Sequence, residues 1–358
     1  MSRLIQIRNF GQRVWLDNLS RQLVAEQLSN LVAEDGIAGV TSNPAIFYNA
    51  IAKDDRYQGD LARLKTENLS AEQRYEALVI PDIQAACDLM RTQYDATAKA
   101  DGYVSFEVSP FLANDEAGTL AAARRLWQAV DRPNLMIKVP ATAAGTTVFE
   151  QLIAEGLNVN ITLMFSPRHV KTIFDAYLRG LQQRAQQGLP VDHIKAVASV
   201  FMSRVDTLID KKLDAIGSAD ALALRGKAAV AFARTAYRDY QALFHGPRFA
   251  ELMAAGARPQ HLLWASTGTK NPAYSDVLYI EELIGDETVN TAPDATLDAF
   301  RDHGQAAGTL GQGLPQAEQT VAALAALGID LDEVGEQLQR EGLKLFDDAF
   351  EKLLALTA

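Results

Sequence analysis

Eight short apolar runs, separated by stretches of helical periodicity, constrain the fold of this chain more than any other feature. The runs are VWLD (14–17), GVTSN (39–43), YVSFEVS (103–109), NLMIKVPA (134–141), VNITLMFS (159–166), AVASVFMS (196–203), HLLWAS (261–266) and TVNTA (288–292). Between them lie segments such as EAGTLAAARRLWQAV, whose apolar residues recur at helical spacing. Strand–helix alternation implies parallel pairing with right-handed crossovers. Eight such units predict an α/β fold, a closed (β/α)8 TIM barrel, with an open doubly wound sheet as the alternative.

The regions outside these units also have helical patterns. The chain has 358 residues, enough for one large barrel or for two ordinary domains. We interpret it as a single barrel domain over residues 1–358, with helical insertions at about 44–102 and 204–260 and a helical C-terminal extension at about 293–358. The Gly-rich segment at 305–315 is the predicted flexible linker between C-terminal helices.

Composition excludes several classes of function. The formal net charge of −11 argues against a nucleic-acid partner, although locally clustered basic residues can still bind phosphorylated metabolites. The single cysteine, Cys87, and five scattered histidines predict no metal site. Cys87 lies in a helical pattern where a buried apolar role is expected. No apolar stretch has membrane-spanning length and no signal-peptide core is present, which predicts a cytoplasmic protein that is not bound to a membrane.

One apolar run contains a lysine. Lys138 follows Leu135, Met136 and Ile137 and precedes Val139. Charged side chains avoid buried parallel strands unless they are paired. Desolvation favours the neutral amine, which can attack a carbonyl group and form a Schiff base. The alternative is a lysine that reaches solvent at a strand end or belongs to a structural ion pair.

Polar residues cluster at the ends of the other predicted strands. In a (β/α)8 barrel the carboxyl ends of the strands carry the chemistry. The residues there are Asp17, Asn43, Glu107, Lys138, Asn160, Thr162, Ser199, Arg204, Ser266 and Lys270. An isolated Asp or Asn at such a position is often a helix cap. Convergence of so many polar groups favours a ligand site, because burying unpaired polar groups costs ~1–3 kcal/mol each.

Glu107 is a carboxylate on an apolar strand, as Lys138 is an amine on one. A carboxylate near a Schiff-base lysine can transfer protons directly or through a water molecule. A plain ion pair between them would instead keep both groups charged and the lysine inert.

Seven motifs resemble those of the transaldolase family. They are WLDNLSR (15–21), GVTSNPAIF (39–47), SFEVSP (105–110), NLMIKVPAT (134–142), NVNITLMFS (158–166), ASVFMSRVD (198–206) and WASTGTKNP (264–272). They follow the family's order and are most similar to its longer bacterial form, which has an extended C-terminal region.

This resemblance implies reversible transfer of a dihydroxyacetone unit between phosphorylated sugars, in the non-oxidative pentose phosphate pathway. The donor would be sedoheptulose 7-phosphate or fructose 6-phosphate, and the acceptor glyceraldehyde 3-phosphate or erythrose 4-phosphate. Neither a metal nor an organic cofactor is implied, since the protonated imine accepts the electrons. The protein could be a monomer or a homodimer.

The resemblance also implies residue roles. Lys138 would be the Schiff-base nucleophile, Glu107 the acid/base acting through a water that Thr162 helps to hold, and Asp17 the base for the donor's C4 hydroxyl. The residues implied for substrate binding are Asn43, Asn160 and Ser199 for the three-carbon fragment and Arg204, Ser266 and Lys270 for the distal phosphate.

Two positions depart from patterns in related enzymes. Better-known transaldolases have a short Ser-x-Arg after strand seven, whereas this chain has a longer loop with Lys270 as the cation, and Thr267 and Thr269 are further candidates there. An ammonium group cannot hold phosphate bidentately as a guanidinium can. Phe201 stands where related aldolases that release free ketones have a tyrosine, which favours transfer; packing of the barrel mouth is its alternative role.

Two other functions remain open at this stage. One is a class I sugar-phosphate aldolase that needs no acceptor, and the other is a non-catalytic barrel that binds sugar phosphates. A Rossmann dehydrogenase is disfavoured, since no GxGxxG follows an early strand.

Overall fold

The computed structural model describes residues 2–358, which form a closed barrel of eight parallel strands. The strands are β1 (Arg13–Leu16), β2 (Gly39–Thr41), β3 (Tyr103–Glu107), β4 (Leu135–Pro140), β5 (Val159–Met164), β6 (Ala196–Phe201), β7 (His261–Ala265) and β8 (Thr288–Ala292). Each strand pairs with the next, and β8 pairs with β1. The predicted (β/α)8 fold is confirmed with all eight of its strands, and the open sheet is excluded.

Helices surround this barrel. The α-helices are α1 (Arg3–Gln6), α2 (Arg21–Glu26), α3 (Leu28–Asn30), α4 (Pro44–Lys53), α5 (Gln58–Leu64), α6 (Ala71–Ala96), α7 (Glu116–Val130), α8 (Ala143–Glu155), α9 (Pro167–Gln186), α10 (Ser203–Ile216), α11 (Ala219–Leu222), α12 (Ala228–Phe244), α13 (Ala250–Ala254), α14 (Leu278–Glu281), α15 (Asp294–His303), α16 (Leu314–Ala326) and α17 (Leu331–Thr357). Short 3-10 helices span Ile7–Phe10, Asp55–Tyr57 and Pro110–Leu112, and Leu31–Asp35 is a π-helical turn.

The two long connections are helical. The connection after β2 contains α4, α5 and α6, and the connection after β6 contains α10 to α13. The Gly-rich segment joins α15 to α16. Cys87 lies inside α6 and is fully buried. Within residues 2–358, the structure contains no helix with the length and apolar character needed to cross a membrane.

Several helices begin directly after a strand because a polar side chain caps them. The Asn43 Oδ1 accepts a hydrogen bond from the Ile46 backbone N–H at 3.0 Å, and the Thr142 Oγ1 accepts one from Gly145 at 2.9 Å. Such caps satisfy backbone donors that a helix leaves unpaired at its first turn. They fix the strand-to-helix turns at the carboxyl ends of β2 and β4, where the polar side chains cluster.

The last helix, α17, returns to the carboxyl ends of the strands. Its 27 residues extend over roughly 40 Å at helical rise. Gln339 donates hydrogen bonds from Nε2 to the backbone carbonyls of Ala141 at 2.9 Å and Leu163 at 3.1 Å. At Gly335 a Cβ atom would lie 2.4 Å from the Cβ of Ser166, so only glycine permits this approach. The helix therefore lies directly on the barrel mouth beside β4 and β5.

Candidate active site

A cavity of about 240 Å³ opens at the carboxyl ends of the strands. Its walls include nine of the residues predicted for the site, namely Asp17, Asn43, Lys138, Thr162, Ser199, Phe201, Arg204, Ser266 and Lys270. The remaining two, Glu107 and Asn160, are buried on β3 and β5, on either side of Lys138 in the strand register. The structure thus brings the whole predicted set together around one volume.

The Lys138 ammonium group lies beside the Glu107 carboxyl group inside the barrel. The two residues are register partners on β3 and β4, so both side chains project from the same side of the sheet. Lys138 Nζ is 3.6 Å from Glu107 Oε2, and the two side chains are only 7% and 6% exposed. The Nζ atom also donates a hydrogen bond to the Ser42 carbonyl oxygen at 3.2 Å. The pair is therefore close but separated by more than a tight hydrogen bond.

Burial dominates the protonation of Glu107. It raises the pKa of this carboxyl group to about 7, against the opposing attraction of Lys138, and the negative charge of Asp17 raises it further. A group with this pKa is present in both its acidic and its basic form near neutral pH. Glu107 can therefore both give and take a proton, which a carboxylate held in a simple structural ion pair cannot do.

Two buried oxygens near the amine have no hydrogen-bond partner in the protein. They are Glu107 Oε2 and Thr162 Oγ1, and Thr162 is fully buried in the cavity wall. Buried polar atoms in proteins are nearly always hydrogen-bonded. These two atoms thus retain bonding capacity for a water molecule or a substrate hydroxyl group.

Asp17 lies on the opposite side of the cavity, just after β1. Its Oδ1 accepts a hydrogen bond from the Thr41 hydroxyl at 2.7 Å, and its backbone N–H donates to Ala292 at 2.9 Å. The Thr41 Oγ1 is also 2.9 Å from the Thr291 Oγ1. The Asp17 carboxylate is therefore held by Thr41 of β2, while its backbone is held by β8, and it lines the cavity without a cationic partner bonded to it.

The predicted hydroxyl-binding residues differ in their exposure to the cavity. Asn160 is fully buried, donating to Ser105 Oγ at 3.1 Å and accepting from Ser199 Oγ at 2.7 Å. Ser199 itself lines the cavity. Asn43 lines it too, although its Oδ1 caps α4, so its amide nitrogen is the group left for a ligand.

A cationic wall forms the other part of the cavity. The Arg204 guanidinium carbon lies 5.2 Å from the centre of the Phe201 ring, and its Nη1 has no hydrogen-bond partner. Burial lowers the pKa of Arg204, while the negative charge of Asp17 opposes that shift. Arg204 belongs to the first turn of α10, where the helix dipole adds positive potential. This wall is therefore suited to an anion such as a phosphate group.

The loop after β7 completes this wall. Ser266 has a left-handed backbone conformation, with φ of 54°, and its Oγ lies 2.8 Å from the Ser203 Oγ. Such strain in a non-glycine residue often accompanies function. The hydroxyl groups of Thr267 and Thr269 both donate to backbone carbonyls, at 2.9 and 2.8 Å, so they shape the loop. Lys270 lines the cavity and is exposed at its rim.

Tyrosine–carboxylate hydrogen bonds tie this loop region to α10. Tyr274 donates to Asp210 at 2.6 Å, and Tyr279 donates to Asp206 at 2.7 Å. Because α10 also carries Arg204, these bonds fix the loop's position relative to the guanidinium group.

A second buried lysine lies at the other end of the barrel. Lys195 directly precedes β6, and its Nζ lies 3.0 Å from His261 Nδ1 at the start of β7. Burial lowers the pKa of Lys195 to about 7. Low pKa alone would therefore select Lys195 as a nucleophile. Lys195 is not among the residues that line the cavity. The cavity lies at the carboxyl ends of the strands, whereas Lys195 lies at the amino end of β6.

Sequence reasoning missed six residues of the cavity wall, namely Thr41, Ala265, Gly268, Thr291, Pro293 and Phe346. Thr41 and Thr291 lie inside the predicted strands 39–43 and 288–292, close to their carboxyl ends, so their hydroxyl groups could have identified them. Phe346 comes from α17, which has no sequence signal for a position over the barrel mouth.

The structure defines a (β/α)8 barrel with a buried lysine in the cavity at its mouth, and comparisons with known proteins specify the family. The model of the family described as transaldolase/fructose-6-phosphate aldolase matches residues 14–357. The transaldolase of Thiobacillus denitrificans is 54% identical over 350 residues, covering 98% of each chain. The transaldolase of Neisseria gonorrhoeae is 48% identical over 99% of each chain, and transaldolase 1 of Streptomyces coelicolor is 46% identical over 98% of this chain and 93% of its own. This chain belongs to the transaldolase/fructose-6-phosphate aldolase family, which confirms the resemblance predicted from its motifs.

The unusual pKa of Glu107 can be measured directly. In carbon-13 NMR of side-chain carboxyl groups, the Glu107 signal, assigned by its loss in Glu107→Gln, should titrate near pH 7 and not near the usual ~4.3. In Lys138→Met the midpoint should be higher still, because the attraction that favours the carboxylate is removed. A midpoint near 4.3 in the unmodified protein, or a lower midpoint in Lys138→Met, would contradict the burial argument.

Proposed function

We propose that this chain is a transaldolase that uses Lys138 as its Schiff-base nucleophile. It transfers a dihydroxyacetone unit from sedoheptulose 7-phosphate or fructose 6-phosphate to glyceraldehyde 3-phosphate or erythrose 4-phosphate. The observation that carries this proposal is Lys138 Nζ at 3.6 Å from a buried carboxyl group whose pKa is about 7. Family membership and full-length similarity to transaldolases support it.

The first stage joins the donor to the enzyme. The neutral Lys138 amine attacks the C2 carbonyl group of the ketose phosphate, and the carbinolamine loses water to give a protonated imine. Glu107 transfers the necessary protons through a water molecule bound by Thr162. A pKa of about 7 suits a group that must act as an acid and as a base in turn.

The second stage breaks and remakes a carbon–carbon bond. Asp17 takes the proton of the C4 hydroxyl group, the C3–C4 bond breaks, and its electron pair moves into the imine to give an enamine. An aldose phosphate leaves. The enamine carbon then attacks the acceptor aldehyde, the proton returns, and water hydrolyses the new imine. The protonated imine accepts the electron pair when the C3–C4 bond breaks, and the enamine gives that pair to the acceptor aldehyde when the new bond forms, so the residues described suffice for this mechanism.

Substrate binding follows the two walls of the cavity. Asn43, Asn160 and Ser199 bind hydroxyl groups of the three-carbon fragment, with Asn160 acting largely through Ser199, whose hydroxyl it accepts. Arg204, Ser266 and Lys270 bind the distal phosphate. The Arg204 Nη1 atom, which is buried and has no hydrogen-bond partner, supports this assignment, because a guanidinium group with an unused donor beside a cavity favours an anionic ligand.

The second candidate is a class I aldolase that cleaves the sugar phosphate without an acceptor, which is also within the family's description. Phe201 favours transfer over it. This residue lines the cavity and has no hydroxyl group with which to assist protonation of the carbanion. The Phe201 ring also packs against Phe165, with centroids 5.0 Å apart, so it combines a packing role with its place in the cavity wall. A non-catalytic sugar-phosphate barrel would have no use for the acid/base character of Glu107.

We further propose a cytoplasmic location and a monomeric or homodimeric state.

A transfer assay tests the proposal. With fructose 6-phosphate and erythrose 4-phosphate, the protein should form sedoheptulose 7-phosphate and glyceraldehyde 3-phosphate, and far less product without the acceptor. Lys138→Met should reduce the rate by several orders of magnitude, since it removes the nucleophile. Lys195→Met is the matched control, because it also removes a buried lysine but outside the cavity. The proposal would be contradicted if Lys195→Met lost transfer activity while Lys138→Met kept it. Equal product with and without an acceptor would also contradict it.

The phosphate assignment makes a separate prediction. Lys270→Ala should raise KM for fructose 6-phosphate about tenfold or more with little change in kcat, because a hydrogen bond to a charged group contributes ~1.5–3 kcal/mol. KM for unphosphorylated fructose should not change. Lys211→Ala is the control, since Lys211 is exposed on α10 but does not line this cavity. An unchanged KM for fructose 6-phosphate would remove Lys270 from the phosphate site.

A further inference from the structure

The C-terminal helix places an aromatic ring beside the proposed nucleophile. Phe346 of α17 lines the same cavity as Lys138, and the centre of its ring lies 6.0 Å from Lys138 Nζ. Phe346 is half-buried, with its neighbour Leu345 54% exposed on the same helix. More than two hundred residues separate Phe346 from Lys138 in the chain, so this contact is a product of the fold.

The position of this ring is fixed from both directions along α17. On the N-terminal side, Gln339 binds the Ala141 and Leu163 carbonyls at the ends of β4 and β5. Between Gln339 and Phe346, Gly342 allows the helix to approach β5 closely, because a Cβ atom there would lie 3.1 Å from a Leu163 methyl carbon. One turn beyond Phe346, the Phe350 ring packs edge-on against Phe111, with centroids 5.2 Å apart. The helix is therefore anchored on the barrel around Phe346.

The Phe346 ring is an apolar surface near the amine in a cavity whose other walls are largely polar, Phe201 being a second aromatic ring in those walls. Asp17, Asn43, Thr162 and Ser199 contribute oxygen or nitrogen atoms to the other walls. The Lys138 side chain is nevertheless only 7% exposed. Phe346 belongs to the helix that lies over the barrel mouth, and its ring forms part of the cavity wall beside the amine.

We propose that Phe346 is a specificity-determining residue that favours transfer of the three-carbon unit over its release as free dihydroxyacetone. This inference rests on the proposed function, which supplies the enamine on Lys138. In transfer, the enamine carbon forms a bond to the acceptor's aldehyde carbon. In release, that carbon takes a proton instead, and the resulting imine is hydrolysed to free dihydroxyacetone and the free amine. The water used replaces the one lost when the imine formed, so the net reaction is cleavage of the donor into dihydroxyacetone and an aldose phosphate. The Phe346 ring restricts the access of water to the enamine, while the acceptor enters with its phosphate at the cationic wall.

Measuring how each variant divides the enamine between the two products tests this inference. The readout is the ratio of free dihydroxyacetone formed from fructose 6-phosphate without acceptor to sedoheptulose 7-phosphate formed with erythrose 4-phosphate. In Phe346→Ala this ratio should rise about tenfold, equivalent to ~1.4 kcal/mol between the two barriers. Phe346→Val removes fewer atoms and should give a smaller rise in the same direction. Leu345→Ala, which shortens the exposed neighbour, should leave the ratio at the wild-type value.

The outcomes separate this inference from the proposed function. If Phe346→Ala and Phe346→Val are folded and keep the wild-type ratio while the wild-type protein transfers, Phe346 has no such role and the transaldolase proposal stands. An equal rise in Leu345→Ala would also overturn the inference, since it would trace the effect to a loosened helix. A wild-type protein that forms no sedoheptulose 7-phosphate would overturn the proposed function itself.

Discussion

The burial of Lys138 beside Glu107 is the constraint on which the site depends. Removing a charged group from water costs several kcal/mol, and a buried pair recovers that cost only with good geometry. Here Nζ and Oε2 are 3.6 Å apart, and burial outweighs the attraction, so that the pKa of Glu107 reaches about 7. The result is a carboxyl group beside the Lys138 amine that can give and take a proton near neutral pH. The pairing register of β3 and β4 brings Glu107 and Lys138 together, because it places both residues at the same level of the barrel.

The other elements of the site supply what this pair lacks. Asp17, held by Thr41, adds a carboxylate across the cavity, and Arg204 adds a cation with an unpartnered nitrogen. The loop after β7 is held to α10 through Tyr274 and Tyr279. The C-terminal helix brings Phe346 over the amine. The Lys138–Glu107 pair, the polar and cationic walls and the Phe346 ring together form the site to which we assign a covalent intermediate.

Much of this could be predicted from the sequence because barrels have simple rules. Eight apolar runs predicted all eight strands, and polar residues at their ends converge because parallel strands direct the same ends to one face. Other features depend on contacts between distant segments. No local pattern places Phe346 of α17 over β4, and the Ser203–Ser266 hydroxyl contact joins two separate loops.

Lys195 shows why residue type and burial alone are insufficient to identify the nucleophilic lysine. Like Lys138, it adjoins an apolar strand, and burial lowers its pKa to about 7. What separates the two lysines is their position along the strand: Lys195 precedes β6, at the amino end of the barrel, whereas Lys138 lies within β4 and lines the cavity. The two lysines can be told apart only if the strand directions and the closure of the barrel are known. The alternation of strands and helices predicts both.

The central claim is that Lys138 forms the covalent intermediate. Its most direct test is reduction with borohydride in the presence of fructose 6-phosphate, followed by mass mapping of the peptides. The account predicts a three-carbon adduct on the peptide that contains Lys138 and none on the peptide that contains Lys195. An adduct on Lys195, or no trapped lysine at all, would contradict it and leave Lys138 as a structural cation.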